Sequence, residues 1–202
     1  MSITGRLYLL FTPELCANAP LDTLAEAIDG GVDLVQWRSK RGDREAFDRC
    51  RLLCAERRVP LFVNDDVMLA VRSQVAGAHV GQDDMPADAA RKLMFGRQLG
   101  VSTHDVQQIE AAAAARADYV GFGPCHATAT KGYEQGLAPE KIRAAAERCH
   151  ELGLPMFAIG GITPDNLPPL TGLGVRRVAV SSYVLQHDDP RAAALALRSL
   201  LR

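Results

Sequence analysis

Short apolar segments and amphipathic segments alternate eight times along this chain, and no other feature restricts its fold as strongly. The apolar segments fall at residues 6–12, 33–38, 60–64, 77–81, 98–103, 118–123, 155–160 and 176–181. Several are apolar without interruption, as in Leu61-Phe62-Val63 and Met156-Phe157-Ala158-Ile159. A strand with one wet face alternates polar and apolar residues. An unbroken apolar run needs cover on both faces, the condition inside a parallel sheet flanked by helices. Helix-like segments fill the intervals, at 21–29, 44–57, 66–75, 87–94, 106–116, 139–152, 163–173 and 190–201. Their punctuation agrees. Gly30-Gly31 closes the first, while Pro139 opens the sixth and Gly153 closes it, the asymmetry that helix ends favour. Pro168-Pro169 makes the seventh irregular.

Eight units share 202 residues, about 25 each, with no linker or shift in composition between them. The chain therefore reads as one domain over residues 1–202. Eight parallel strands in one α/β chain predict a closed (β/α)8 TIM barrel at the compact end of its size range. An open doubly wound sheet is the competitor, but no Gly-x-Gly-x-x-Gly follows the first strand.

Charge narrows the partners. The net charge is −1 with 23% charged residues, so no global field draws the chain to nucleic acid or membrane. Anion binding must come from local groups. No apolar run approaches the ~20 residues of a membrane span, and the N-terminal apolar stretch reads as a first buried strand rather than a signal peptide. The five cysteines, Cys16, Cys50, Cys54, Cys125 and Cys149, form no Cys-x-x-Cys pair. They read as core residues of a protein from a reducing, cytoplasmic compartment. Homo-oligomerisation is left open.

In a barrel of this kind the active site lies at the C-terminal ends of the strands, and the polar residues of this chain collect there. Arg38 and Lys40 are two apart, so they share a face. With Lys131 they give three cations around one mouth, suited to a diphosphate. Asp65 and Asp84 end neighbouring strands, and paired carboxylates beside cations suggest Mg²⁺ shared with phosphate oxygens. Asp66 and Asp83 read as helix caps instead. Thr128 and Thr130 offer donors, Gly160-Gly161 lets a ligand approach the backbone, and Ser181-Ser182 precedes the last helix. Phosphate sites after strands seven and eight recur in this fold. Two anion sites in one mouth imply two phosphorylated small molecules, or one long one. No Ser–His–Asp spacing or nucleophilic cysteine stands out, and His79 and His104 receive no role.

The strings Gln36-x-Arg38-x-Lys40, Asn64-Asp65, His79-Val80-Gly81-Gln82-x-Asp84, Val101-Ser102-Thr103-His104, Gly123-Pro124, Thr128-x-Thr130-Lys131 and Ala158-Ile159-Gly160-Gly161-Ile162, in this order, resemble the thiamine-phosphate synthase (thiamine-phosphate pyrophosphorylase) family. The resemblance covers nearly the whole chain, and the set is specific where each string alone is not. It implies a transferase of thiamine biosynthesis that joins a pyrimidine diphosphate to a thiazole phosphate through a pyrimidinyl-methyl cation. It further implies that Gln36, Arg38, Lys40, Asn64, Ser102 and Lys131 hold the pyrimidine diphosphate. Asp65 and Asp84 would bind Mg²⁺. Thr128, Thr130, Gly161, Ser181 and Ser182 would hold the thiazole phosphate. Arg38, Lys40, Ser102 and Lys131 would carry the catalytic load, since a dissociative reaction needs positioning and leaving-group stabilisation more than a nucleophile.

The chain departs from the family in two places. Trp37 and Ser39 stand where Leu and Glu are usual; by alternation they point away from Gln36, Arg38 and Lys40 and should alter packing more than chemistry, although loss of the Glu could loosen the cations. Cys125-His126-Ala127 stands where Val-Phe-Pro is usual, on the thiazole side. Two alternatives follow. A thiazole tautomerase-like isomerase on the same barrel would have His where this chain has Pro124, and would lack the Asn-Asp and second Asp. A non-catalytic barrel that binds a phosphorylated metabolite would have no need of Asp65, Asp84 and Lys131 together.

Overall fold

The computed structural model describes residues 3–39, 41–127 and 135–201. Eight parallel strands close on themselves in sequence order. They are β1 (Leu7–Phe11), β2 (Leu34–Trp37), β3 (Leu61–Asn64), β4 (Gly77–Val80), β5 (Gln98–Thr103), β6 (Tyr119–Phe122), β7 (Met156–Ile159) and β8 (Val178–Val180). Closure is made by β1 against β8, with Tyr8 beside Ala179. Each strand lies within the predicted segment, and the (β/α)8 barrel is the observed fold.

Among the described residues the helices are α1 (Pro20–Asp29), α2 (Arg44–Glu56), α3 (Val67–Arg72), α4 (Ala87–Leu93), α5 (Val106–Ala114), α6 (Pro139–Glu151), α7 (Leu167–Gly172), α8 (Ser182–Leu185) and α9 (Pro190–Leu200). This corrects the expected count of eight. The four-residue α8 is too short to leave a helical period in sequence. The seventh predicted helix also contracts, because Asn166 rather than Thr163 stands at its N-cap. Aspartates cap α2, α3, α5 and α9, with Asp66 accepting from the Leu69 amide at 2.8 Å as expected. Asp83 does not cap α4, whose N-cap is Pro86. No described helix is long and apolar enough to cross a membrane.

The pleat sorts side chains into two cores. Leu7, Leu9, Phe11, Val35, Trp37, Val63, Val80, Val101, Val120 and Phe122 point outward and pack with the helices. Tyr8, Leu34, Phe62, Tyr119, Phe157 and Ala179 point inward and fill the barrel. The rings of Tyr8, Phe62, Tyr119 and Phe157 meet edge to face, with centroids 5.3–5.8 Å apart, the arrangement that ring quadrupoles favour. Room for them comes from Gly100. A Cβ there would lie 2.1 Å from Tyr119 Cζ and 2.5 Å from His79 Nδ1. This aromatic layer is the floor on which the mouth is built.

Candidate active site

Above that floor, a cavity of about 400 Å³ opens at the C-terminal strand ends. Its wall includes Arg38 after β2, Ser102 and His104 at the end of β5, Gly160-Gly161 after β7 and Ser181-Ser182 after β8. Five of the predicted site residues (Arg38, Ser102, Gly161, Ser181 and Ser182) thus face one space. Lys40, Thr128, Thr130 and Lys131 lie outside the described residues.

The β7–β8 side is shaped by backbone. Gly160 and Gly161 have φ of 105° and 59°, a region open to glycine at no steric cost. A Cβ on Gly161 would stand 2.4 Å from the Ala127 carbonyl oxygen, and one on Gly160 2.8 Å from Pro124 Cα. Asn166 braces this turn, donating to the Gly161 carbonyl at 2.8 Å and accepting from the Thr163 amide at 2.8 Å. Ser181 Oγ lies 3.0 Å from the Leu10 carbonyl and donates its proton there, which pins β8 to β1. Ser182 is the first residue of α8.

The β2–β4 side is made of side chains. Gln36 is only 2% exposed; its Nε2 donates to Tyr8 Oη at 3.0 Å, and neither it nor Asn64, Asp65 or Asp84 is in the wall of the cavity that Arg38 and Ser102 line. Asn64 donates to Asp65 at 2.6 Å. Asp65 is exposed, with φ of 62°, a left-handed conformation uncommon outside glycine and worth relating to function. Its amide bonds the His79 carbonyl at 2.8 Å, which ties the end of β3 to β4. Asp84 is also exposed, and one of its oxygens accepts from the Gly81 amide at 2.7 Å.

Mg²⁺ fits this donor set. No three His, Cys, Asp or Glu side chains among the described residues form a protein-only metal site. Mg²⁺ usually takes one or two carboxylates and completes its shell with water and substrate phosphate, so two exposed aspartates on adjoining loops match its chemistry.

The departures from the family have structural answers. Trp37 points outward, 6.0 Å from the Phe11 ring and 5.7 Å from that of Phe47, centroid to centroid. Ser39 Oγ donates to Glu14 Oε1 at 2.6 Å. Glu14, on the 3-10 turn Pro13–Leu15 after β1, therefore brings a carboxylate to the place where the motif has lost one. Cys125 is buried, and burial pushes its thiol up to about 12, so it supplies no thiolate near neutral pH. His126 Nε2 is buried with no hydrogen-bond partner, and burial lowers the imidazole pKa. Sequence reasoning missed His187 in the cavity wall, Asn166 and Glu14, none of which sits at a strand end.

Fold and mouth together define a class: (β/α)8 barrels whose chemistry is carried by polar residues at the C-terminal strand ends. The thiamine monophosphate synthase family matches residues 7–184, and the chain belongs to that family. It is 37% identical over 206 residues to the thiamine-phosphate synthase of Rhodopirellula baltica, covering 98% of this chain and 55% of that protein. This chain thus spans about half the length of that relative. Identity to the thiamine-phosphate synthase of Geobacillus kaustophilus is 38% over 206 residues, covering 97% of this chain and 91% of the relative. The solved thiamine phosphate pyrophosphorylase of Pyrococcus furiosus superposes with a TM-score of 0.85 at 28% identity, covering 97% and 95% of the two chains.

Proposed function

We propose that this chain catalyses the thiamine-phosphate synthase reaction. 4-Amino-2-methyl-5-(diphosphooxymethyl)pyrimidine loses diphosphate as its C–O bond breaks, and the bonding electron pair leaves with the diphosphate. The thiazole ring nitrogen of the second substrate, a thiazole phosphate, donates its lone pair to the resulting pyrimidinyl-methyl cation and forms the new C–N bond. The observation that carries this reading is that Arg38, Ser102, Gly161, Ser181 and Ser182, expected to contact two substrates, line a single cavity in a chain of this family.

The family resemblance supplies the roles. Arg38, with Lys40 and Lys131, stabilises the departing diphosphate. Gln36 and Asn64 orient the pyrimidine, and Ser102 donates to the same substrate. Gly161, Ser181 and Ser182, with Thr128 and Thr130, hold the thiazole phosphate. Asp65 and Asp84 would hold Mg²⁺, which supplies neutralisation of leaving-group charge. Arg38 and the neighbouring cations need act only on charge that develops, as electrostatic catalysis requires.

The test supplies both substrates with and without Mg²⁺ and measures diphosphate release and thiamine phosphate. Mg²⁺-dependent formation of both products is expected. Tight binding of either substrate without diphosphate release would overturn the reading in favour of a binding protein.

A further inference from the structure

A chain of hydrogen bonds crosses the barrel interior just below the mouth. Gln36 Nε2 donates to Tyr8 Oη at 3.0 Å. Tyr8 Oη and Tyr119 Oη are 2.9 Å apart. Tyr119 Oη lies 3.3 Å from His79 Nδ1, and His79 Nε2 lies 2.9 Å from Ser102 Oγ. The first four residues are buried, and only Ser102 reaches the cavity. The chain joins β2, β1, β6, β4 and β5, so no local motif encodes it. It is nevertheless built for: Gly100 and Gly121 vacate the space that His79 and Tyr119 occupy, and a Cβ on Gly121 would be 3.3 Å from His79 Cε1.

Each phenol has one proton, and each imidazole nitrogen can either donate or accept. Tyr8 receives the Gln36 amide hydrogen, so its own proton goes to Tyr119. Tyr119 then donates to His79 Nδ1. With Nδ1 accepting, a neutral imidazole carries its ring proton on Nε2 and donates it to Ser102 Oγ. Ser102 therefore uses a lone pair on His79, and its hydroxyl proton is turned toward the cavity. Burial raises the pKa of both phenols, so both keep the proton that the sequence of donors requires. Reversal would need the Gln36 carbonyl, not its amide, to face Tyr8.

We propose that Tyr8, Tyr119 and His79 are positioning residues: they hold His79 as the Nε2–H tautomer and so aim the Ser102 hydroxyl at the substrate as a donor. This rests on the reading of Ser102 as a contact of the pyrimidine diphosphate. Hydrogen bonds in series polarise one another, so cutting the chain at Tyr119 weakens the donor at Ser102 without altering any group in the cavity wall.

Two measurements test it. In ¹⁵N-labelled protein near neutral pH, long-range ¹H–¹⁵N correlation spectra report the tautomer of each histidine, with the His79 signals identified by their loss in His79→Gln. A protonated Nε2 and a bare Nδ1 are expected; an Nδ1–H tautomer overturns the proposal. This arm needs no turnover, so it stands apart from the success or failure of the synthase reading. In Tyr119→Phe, kcat/KM for the pyrimidine diphosphate should fall about tenfold, the value of one hydrogen bond, while KM for the thiazole phosphate holds within about twofold. Tyr8→Phe, one bond further from Ser102, should show a smaller loss of the same kind. A folded Tyr119→Phe with unchanged kcat/KM, or with both substrates equally impaired, overturns the positioning role.

Discussion

The two halves of the barrel mouth are built by different means. Around β7 and β8 the wall is backbone: two glycines at positive φ, a turn braced by Asn166, and a serine hydroxyl tied to β1. Around β2 to β4 the working groups are charged or amide side chains, and Asp65 and Asp84 are exposed to solvent. A rigid, neutral wall suits a phosphate that stays attached to its ring through the reaction. Charged side chains around open water suit a diphosphate that must gain stabilisation as it leaves and then escape. The predictions below separate these modes, because damage to the charged half should lower kcat and damage to the backbone half should raise one KM.

The largest effect is expected from Asp84→Asn. The amide keeps an oxygen for the Gly81 N–H bond and removes only the charge. Turnover should fall by about a hundredfold or more, the scale of losing one electrostatic stabiliser, with the thermal midpoint unchanged. Steady-state rates across a Mg²⁺ titration and a melting curve check both parts. Unchanged turnover would remove Asp84 from the metal site and, with it, the charge contrast between the halves.

Gly161→Ala strikes the other half. Its methyl group would enter a left-handed position and meet the Ala127 carbonyl at 2.4 Å. The strained conformation costs on the order of 1–3 kcal/mol, and the turn must shift to relieve it. KM for the thiazole phosphate should rise about tenfold or more, while KM for the pyrimidine diphosphate changes little. An equal rise in both would show that the two halves share one wall. Ser181→Ala should act more gently. It removes a hydrogen bond to Leu10 and should lower stability by about 1 kcal/mol, read as a drop in melting temperature.

The contrast also explains what was legible in the sequence. The eight strands were, because both their faces are buried and apolar runs cannot hide. The strand-end residues were, because a barrel exposes those ends together. Of the polar groups buried beneath the mouth, Gln36 was assigned through the resemblance, but Tyr8, Tyr119 and His79 were not. His79 meets Tyr119 and Ser102, 40 and 23 positions away in sequence; Tyr8 and Tyr119 come from strands that are not neighbours in the barrel. Strand parity carried the available signal, since Tyr8, Gln36, His79, Ser102 and Tyr119 all sit at inward positions. Five inward polar residues in one barrel must be satisfied by one another, by water or by a ligand. Asp83 was misread because the loop after β4 runs on to Pro86 before α4 begins, so the capping pattern was present without a helix start beside it.

The smallest effect is expected where the chain departs from its family. Ser39→Glu restores the usual residue, yet here it should not help. Ser39 Oγ donates to the Glu14 carboxylate, so a glutamate at 39 would replace a hydrogen bond with a second negative charge beside the first. Both sites are on the surface, where such repulsion is worth no more than about 1 kcal/mol. A slight loss of stability is therefore expected, greater at low salt, because screening weakens repulsion between exposed charges. Pairing Ser39→Glu with Glu14→Gln should restore it, since the amide can donate to the new carboxylate. If the single variant is instead more stable or more active than the parent, then Glu14 is not standing in for the missing carboxylate, and the β2 side of the mouth is held by something other than this pair.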